Sequence, residues 1–419
     1  MAYRGVYYLG VRLNLWPGPQ HYALKQLNLK PTDFNQHISA VALKLQKQGY
    51  EAYIVGGSIR DLLLKKGIKP KDFDIVTSAL PHQVKQCFAR SRIIGKRFRI
   101  VHVPAGREII EVSTFRGTAT WMSKFFSARY RNNIYGTLEQ DVWRRDFTFN
   151  ALYYDVKQGQ VVDFTGGVSD IKQKKLVVIG DSADRFRDDP VRLLRALRFL
   201  AKTHFDIDQQ CEHQINSQKM LLRSVSKDRL LLEVTKLFNQ GHAHASFQAL
   251  MKYGYLQILF SGYERLAIPM TQHDRYFSSV FRAIDERYHR NERLSTSFLF
   301  AALLWPLFET HRKKLKKITA YSVKKVIHRV LRFESRYVAI PGKLQDAVQD
   351  IWLLQHAFET KKSPFSEDRY RQPRFQNAYL LFTIRAKYLE KLAEKAMMWQ
   401  SEIEQASSRS TTGESDAGK

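Results

Sequence analysis

Acidic residues are scarce in this chain. Of its 419 residues, 40 are Asp or Glu against 68 Lys or Arg, so the formal net charge is +28. An imbalance of that size implies a polyanionic partner, nucleic acid before an acidic membrane surface. Cysteine is scarcer still. Cys87 and Cys211 are the only two, far apart and outside any Cys-x-x-Cys spacing. That excludes a zinc ribbon or a disulfide framework and fits a reducing cytoplasm. No run approaches the ~20 apolar residues of a membrane span. The first ten residues lack the sustained apolar core and cleavage site of a secretory signal, and read as a non-secretory extension. No internal repeat is visible. The length suffices for two to four domains with a sizeable core.

What is present concentrates in a few short strings. An apolar run enters the turn Gly56-Gly57-Ser58, followed by a helix with Arg60 in its first turn. A glycine turn lets backbone amides approach a phosphate, and a helix start favours negative charge. Downstream, Asp72 and Asp74 stand two apart in a short apolar segment. In a strand they project to one face, with Phe73 on the other. Paired carboxylates need a cation between them, and an all-oxygen pair suits magnesium, which also binds substrate phosphates. Glycine turn and carboxylate pair together read as a metal-and-triphosphate site. Glu111 alternates out of an apolar strand and is one candidate for a third carboxylate. Asp146 is the other, in the string Arg144-Arg145-Asp146-Phe147-Thr148-Phe149-Asn150. In that string Arg144 and Arg145 suit phosphate, and Asn150, four residues after Asp146, suits a ribose hydroxyl. Asp189 before Pro190 is a favoured helix start, and Asp189 and Arg192, three apart, can hydrogen-bond a base from one face.

Helical and strand periodicity divides the chain. A helix begins near His37 and stops near Gly49, and strands follow at 50–55, 93–103, 109–115 and 161–164. Beyond about residue 185 strand signals fade. Helices are expected at 191–201, 230–237, 247–250, 298–304, 323–331, 344–355 and 380–395, and residues 405–419 lack a core-forming pattern. The Arg195 and Arg198 side chains lie outside the apolar stripe of the first of these helices. Basic runs occur at Lys313, Lys314, Lys316, Lys317 and again at Lys324, Lys325. A third patch, Arg371 and Arg374 with Tyr370 and Phe375, interleaves aromatics with arginine, as single-strand binders often do. His242 and His244 read as surface structure rather than metal ligands.

The glycine-serine turn followed by Asp-x-Asp resembles the nucleotidyltransferase superfamily that includes DNA polymerase beta. The string 144–150 resembles the Arg-Arg-Asp-Phe-Thr-x-Asn motif of class II tRNA nucleotidyltransferases and bacterial poly(A) polymerases. Asp189 and Arg192 resemble that family's Glu-Asp-x-x-Arg base-selecting element, here with Asp188 in place of the first Glu. The segment 94–103 resembles the Gly-Arg-Arg-Phe-Arg signature of the bacterial poly(A) polymerase branch, as do 298–305, 339–341, 350–352 and 373–375. The likeness covers most of residues 35–400. Two departures stand out: the loop 118–133 is short, and residues 405–419 are mixed in charge where a strongly basic tail is familiar.

The resemblance implies an α+β nucleotidyltransferase head with a mixed sheet, then an all-α RNA-binding neck and body. The expected boundaries are an N-terminal extension at 1–30, head at 31–167, neck at 168–265, body at 266–400 and a disordered tail at 401–419. It also implies template-independent addition of AMP from ATP to the 3′ ends of mRNA and other transcripts, in the cytoplasm. Two Mg2+ ions on Asp72 and Asp74 would serve, with Asp146 or Glu111 assisting. Gly56, Gly57, Ser58 and Arg60 would hold the triphosphate, Arg144, Arg145 and Asn150 the phosphate and sugar. Asp189 and Arg192, with Arg195 and Arg198, would serve base selection, and the basic patches would bind RNA. A tRNA CCA-adding enzyme is the alternative, and a non-catalytic RNA-binding protein on the same scaffold a further one.

Overall fold

The computed structural model describes residues 18–64, 70, 73–95, 99–117, 134–265, 273–360, 365–370, 372–387 and 389–413. Asp72, Arg371 and the short loop 118–133 lie outside the described residues. The chain forms two compact units: residues 1–192 with 203–215, and residues 193–202 with 216–419.

The first unit is built on an eight-stranded sheet. Its strands are β1 (Gln20–Ala23), β2 (Ala52–Val55), β3 (Asp74–Thr77), β4 (Arg92–Ile94), β5 (Ile100–Ala105), β6 (Glu108–Thr114), β7 (Leu152–Asp155) and β8 (Gln160–Asp163), in spatial order β1-β8-β7-β2-β3-β6-β5-β4. Every neighbouring pair is antiparallel except β3 and β6, which makes the expected mixed sheet. A parallel pair, β9 (Lys175–Leu176) and β10 (Asp206–Ile207), stands apart from it. Helices α1 (Gln36–Lys47), α2 (Gly57–Leu63), α3 (Pro81–Cys87), α4 (Leu138–Arg144), α5 (Gly167–Lys172) and α6 (Ser182–Asp188) complete the head. The Asn35 side chain caps α1 by accepting from the His37 N–H at 2.8 Å, and α1 buries Ile38, Val41, Ala42 and Leu45. One sheet face, with Val55, Val76, Tyr153 and Val162, packs against Leu138 and Val142 of α4 and against Phe115.

Three expectations about elements need correction. The segment 93–103 is not one strand. Gly95 takes φ +92°, a conformation that favours glycine, and β4 and β5 on either side of it pair antiparallel. The segment expected as an N-terminal extension contributes an edge strand to the head, because β1 pairs with β8. The helix at 380–395 is broken: an extended Leu389 and a short 3-10 turn at Glu390–Leu392 interrupt it.

Helices α7 (Val191–Thr203) and α8 (Gln209–Ser217) follow. The second unit is entirely helical in its described residues. It holds α9 (Lys227–Phe238), α10 (Ala243–Lys252), α11 (Leu256–Leu259), α12 (Gly262–Arg265), α13 (Asp274–His289) and α14 (Thr296–Leu303). Then come α15 (Trp305–Lys313), α16 (Ala320–Glu334), α17 (Gly342–Thr360), α18 (Glu367–Tyr370), α19 (Pro373–Ala386) and α20 (Ala393–Gly413). Its core is aromatic. Phe308 stacks on Trp352 with centroids 4.6 Å apart, and Phe358 meets Phe375, Phe382 and Trp399. The tail expected to be disordered is helical as far as Gly413. Trp399 anchors that helix: its indole N–H donates to the Phe358 carbonyl at 3.0 Å and its ring is fully buried.

Candidate active site

Strand β2 delivers the chain into the glycine turn. Gly56 sits at φ +88°, ψ −140°, accessible to glycine and strained for other residues. Gly57 opens α2. A Cβ on Gly57 would come within 3.0 Å of the Arg60 guanidinium, and one on Gly56 within 3.9 Å of Arg145 Nη1. Two guanidinium groups therefore flank a turn that has no side chains to block them. Ser58 is buried, and its hydroxyl leans on the Val55 carbonyl at 3.5 Å.

The carboxylates converge at the ends of two neighbouring strands. Asp74 opens β3 and pairs in register with Glu111 on the parallel strand β6 and with Val55 on β2. Residues in register share a face, so Asp74 and Glu111 project together on the side that carries Val55 and Val76. Both are exposed. His102 Nε2 on β5 stands 3.5 Å from Glu111 Oε1. Phe73 lies on the opposite side, with its ring centroid 6.3 Å from that of Phe34. Among the described residues no cluster of three potential metal ligands forms.

Asp146 is placed differently. It is buried, and its Oδ1 accepts from its neighbour Phe147 N–H at 2.9 Å and from Asn150 Nδ2 at 3.1 Å. Asn150 Oδ1 in turn accepts from Arg60 Nη1. Arg60 is buried, bonds Asp61 at 3.0 Å and lies over the Phe149 ring at 5.8 Å. The chain Arg60–Asn150–Asp146 thus ties α2 to the Arg-Arg-Asp segment. These three are bonded to one another, whereas Asp74 and Glu111 are presented to solvent.

Arg145 belongs to a second buried network. Its Nε donates to Tyr153 Oη at 2.6 Å, its Nη2 to Asp141 Oδ2 at 3.0 Å and its Nη1 to the Asn150 carbonyl at 3.4 Å. Tyr153 Oη donates to Asp141 Oδ2 at 3.0 Å. Burial opposes charge on Arg145, but Tyr153 and Asp141 outweigh it and hold the guanidinium's pKa above its ordinary value. Burial pushes the Tyr153 phenol well up, against the pull of Arg145. The network therefore keeps a fixed cation beside the glycine turn.

Two further arginines clamp this segment from behind. Arg192 donates Nη2 to the Arg144 carbonyl at 3.0 Å and Nη1 to the Arg185 carbonyl at 2.9 Å. Arg185 donates Nη2 to the Arg145 carbonyl at 2.6 Å. The Arg144 side chain reaches the Gly117 carbonyl at 2.6 Å. Asp189 is extended and half-buried between α6 and α7, and its carbonyl accepts from the Arg192 N–H at 3.0 Å. Helix α7 opens at Val191, one residue after the expected Pro190. Arg195 and Arg198 lie in the second unit, where Glu233 stands 3.9 and 3.6 Å from them and Arg198 also donates to Gln240 at 3.0 Å.

The basic patches differ from one another. Lys313, Lys314, Lys316, Lys317, Lys324 and Lys325 are exposed. In the third patch, Arg374 is paired with Asp350. The aromatics there were expected to stack on bases, and that is corrected: Tyr370 and Phe375 are buried and pack edge-to-face with Phe365. Sequence reasoning missed Asp141, Tyr153 and Arg185. The first lies one helical turn before Arg145, a spacing that could have suggested the pair. The other two carry no local signal.

Residues 52–177 match the family profile described as the poly A polymerase head domain. Residues 204–266 match the probable RNA and SrmB-binding site of polymerase A, and 314–418 the polymerase A arginine-rich C-terminus. Among solved structures, the Bacillus stearothermophilus CCA-adding enzyme in complex with CTP aligns at TM-score 0.61 and 25% identity, over 86% of this chain and 81% of that one. A CCA-adding enzyme of Lactobacillus helveticus is 38% identical over 208 residues, 49% of this chain and 50% of that protein. Poly(A) polymerase I of Escherichia coli O6:H1 is 37% identical over 391 residues, 89% of this chain and 83% of that protein. That likeness runs through both compact units, and the chain belongs to the poly(A) polymerase I family of nucleotidyltransferases.

Proposed function

We propose that the protein adds AMP from ATP to RNA 3′ ends without a nucleic-acid template. The observation that carries this reading is the extent of the likeness. In sequence, poly(A) polymerase I relatives align across 84–89% of the chain and CCA-adding relatives across 49–65%, while the fold is common to both. In the reaction the RNA 3′ oxygen bonds to the α-phosphorus of ATP, and the bond to pyrophosphate breaks.

The donor set suits magnesium. Asp74 and Glu111 are exposed oxygen donors on adjacent strand ends, and Mg2+ binds through one or two carboxylates together with substrate phosphates. Asp74 and Asp72 would hold two ions, with Glu111 favoured over Asp146 as the third carboxylate because Asp146 is buried in its own hydrogen bonds. When bound, the metal supplies a lower pKa for the 3′ hydroxyl and charge stabilisation for the departing pyrophosphate. The chain's own residues do the positioning. The Gly56–Gly57 turn leaves space for phosphate between Arg60 and Arg145. Asp141 and Tyr153 hold Arg145 in place, and Arg185 and Arg192 hold the backbone beneath it. Asp189, at the entry to α7, is the residue offered to the base, with Arg192 as its partner.

Replacing Asp72 and Asp74 together by Ala is expected to abolish AMP incorporation and to spare RNA binding. Retained incorporation by the purified double variant refutes the site. Glu111→Ala should lose activity at unchanged stability, whereas Asp146→Ala should lose stability first. Offering ATP or CTP with a generic RNA, and with tRNA ending before CCA, separates the two reactions. Long A-tails support this reading, and C-C-A on tRNA alone overturns it.

A further inference from the structure

Helix α16 buries Val323, Val326, Ile327, Val330, Leu331 and Glu334. Past Ala320 at its first position, its exposed side chains are Tyr321, Lys324, Lys325, His328, Arg329 and Arg332. They recur at spacings of three and four, so they form a single stripe along the helix, about 16 Å long at the helical rise. The stripe contains no acid. The end of α15 and the connection into α16 add exposed Lys313, Lys314, Lys316 and Lys317.

Two observations set this face apart from an ordinary solvated helix. First, none of these cations has an ion pair among the described residues, although the second unit pairs Arg312 with Glu309 and Glu359, Arg374 with Asp350 and Arg385 with Glu359. Charge accumulates instead. Burial lowers the pKa of His311, and Lys314 and Arg329 lower it further, so a connection lysine and a helix arginine crowd one imidazole. Second, Tyr321 at the head of the stripe is 78% exposed, more than any other large hydrophobic side chain among the described residues. A ring left in water among uncompensated cations offers a π-face where the surroundings attract phosphate. A duplex would engage the cations through its phosphates and leave the ring unused. An anionic bilayer would want an apolar face, and this one has a single ring beside Ile318.

We propose that the outward face of α16 is a track for single-stranded RNA, with an unpaired base stacked on Tyr321 and phosphates along Lys324, Lys325, Arg329 and Arg332. The proposal rests on RNA being the substrate and adds where and how its unpaired portion is held. The face lies outside the segment matching the RNA-binding family profile, which ends at residue 266, and falls almost wholly within 314–418, the segment matching the arginine-rich C-terminus.

Fluorescence anisotropy with the full chain tests it, using a short oligo(A), an RNA duplex and, separately, vesicles containing phosphatidylserine. Tyr321→Ala should weaken oligo(A) binding ~5- to 150-fold, the range for losing one base–aromatic stack, and leave duplex binding unchanged. Tyr321→Phe, which keeps the ring, should bind like the unaltered protein. Lys324→Gln with Lys325→Gln should lower the slope of log affinity against log salt by roughly 1.4, about 0.7 for each phosphate no longer neutralised. The proposal falls if Tyr321→Ala binds oligo(A) normally, if oligo(A) and duplex lose equally, or if only vesicle binding responds. An unaltered protein that incorporates no AMP would sink the proposed function, yet the anisotropy series would still decide the track.

Discussion

Glu334 offers the sharpest test of the second unit's energetics. It lies at the end of α16, 1% exposed, with Oε1 accepting the Gly262 N–H at 2.9 Å. Burial pushes its pKa from the ordinary 4.5 to about 7, with that N–H and Arg265 pulling the other way. An acid whose folded pKa is raised holds its proton in the folded state after the unfolded chain has lost it. Between about pH 4.5 and 7 the folded state binds more protons, so stability falls as pH rises through that window and is flat above it. At about 1.4 kcal/mol per unit, the full loss is on the order of 3 kcal/mol. Glu334→Gln keeps an acceptor for Gly262 and removes the titration. Urea unfolding of both proteins at pH 5 and pH 8 isolates this group, since Asp285, whose pKa burial raises, and the half-buried His244, His273 and His311, whose pKa burial lowers, titrate in both. The variant should exceed the unaltered protein by only about 1 kcal/mol at pH 5, near the foot of the window, and by up to about 3 kcal/mol at pH 8. Equal midpoints at both pH values, or a variant less stable at pH 8, would refute the account of Glu334 as a buried, poorly paired carboxyl.

Other consequences are read in simpler assays. Gly262→Ala would place a Cβ 2.3 Å from Glu334 Oε1 and 2.9 Å from Leu307 Cδ1; overpacking of this kind costs ~1–3 kcal/mol, and a lower thermal midpoint checks it. Tyr153→Phe deletes the hydroxyl shared by Arg145 and Asp141. It should cost roughly 1–3 kcal/mol and raise the KM for ATP more than it lowers kcat, as expected of a residue that positions Arg145. Asp163 accepts the backbone N–H groups of Thr165, Gly166 and Gly167 on Oδ1 and of Val168 on Oδ2. Asp163→Asn turns one acceptor into a donor facing a donor, and a loss of about 1–3 kcal/mol in denaturant unfolding is expected.

The sequence was most legible where chemistry and geometry are both local. The Gly56–Gly57 turn, the helix expected from near His37 and several of the strands follow from periodicity and turn chemistry within a dozen residues, whereas the mixed sheet was implied only by the family resemblance. Parity alone puts Asp74 on one face of its strand. Which carboxylate stands beside it depends on the pairing of β3 with β6, and register between distant strands is not written in either strand. Hence Glu111 and Asp146 were inseparable by sequence and differ in space: one is an exposed in-register neighbour, the other a buried partner of Asn150. The same logic explains the third basic patch. Tyr370 and Phe375 among arginines have the composition of a stacking surface, but Phe358 and Trp399, far along the chain, claim that region as core. Tyr321 shows the converse. Its neighbours read only as a charge run, and its exposure follows from α16 burying the opposite face. Arg60 lies between these cases. Its place in the first turn of α2 was legible, but its bond to Asn150 spans 90 residues. A residue that is both motif and tie should fail in two ways. Removing Arg60 should therefore lower stability and activity together, whereas removing Asp74 should lower activity alone.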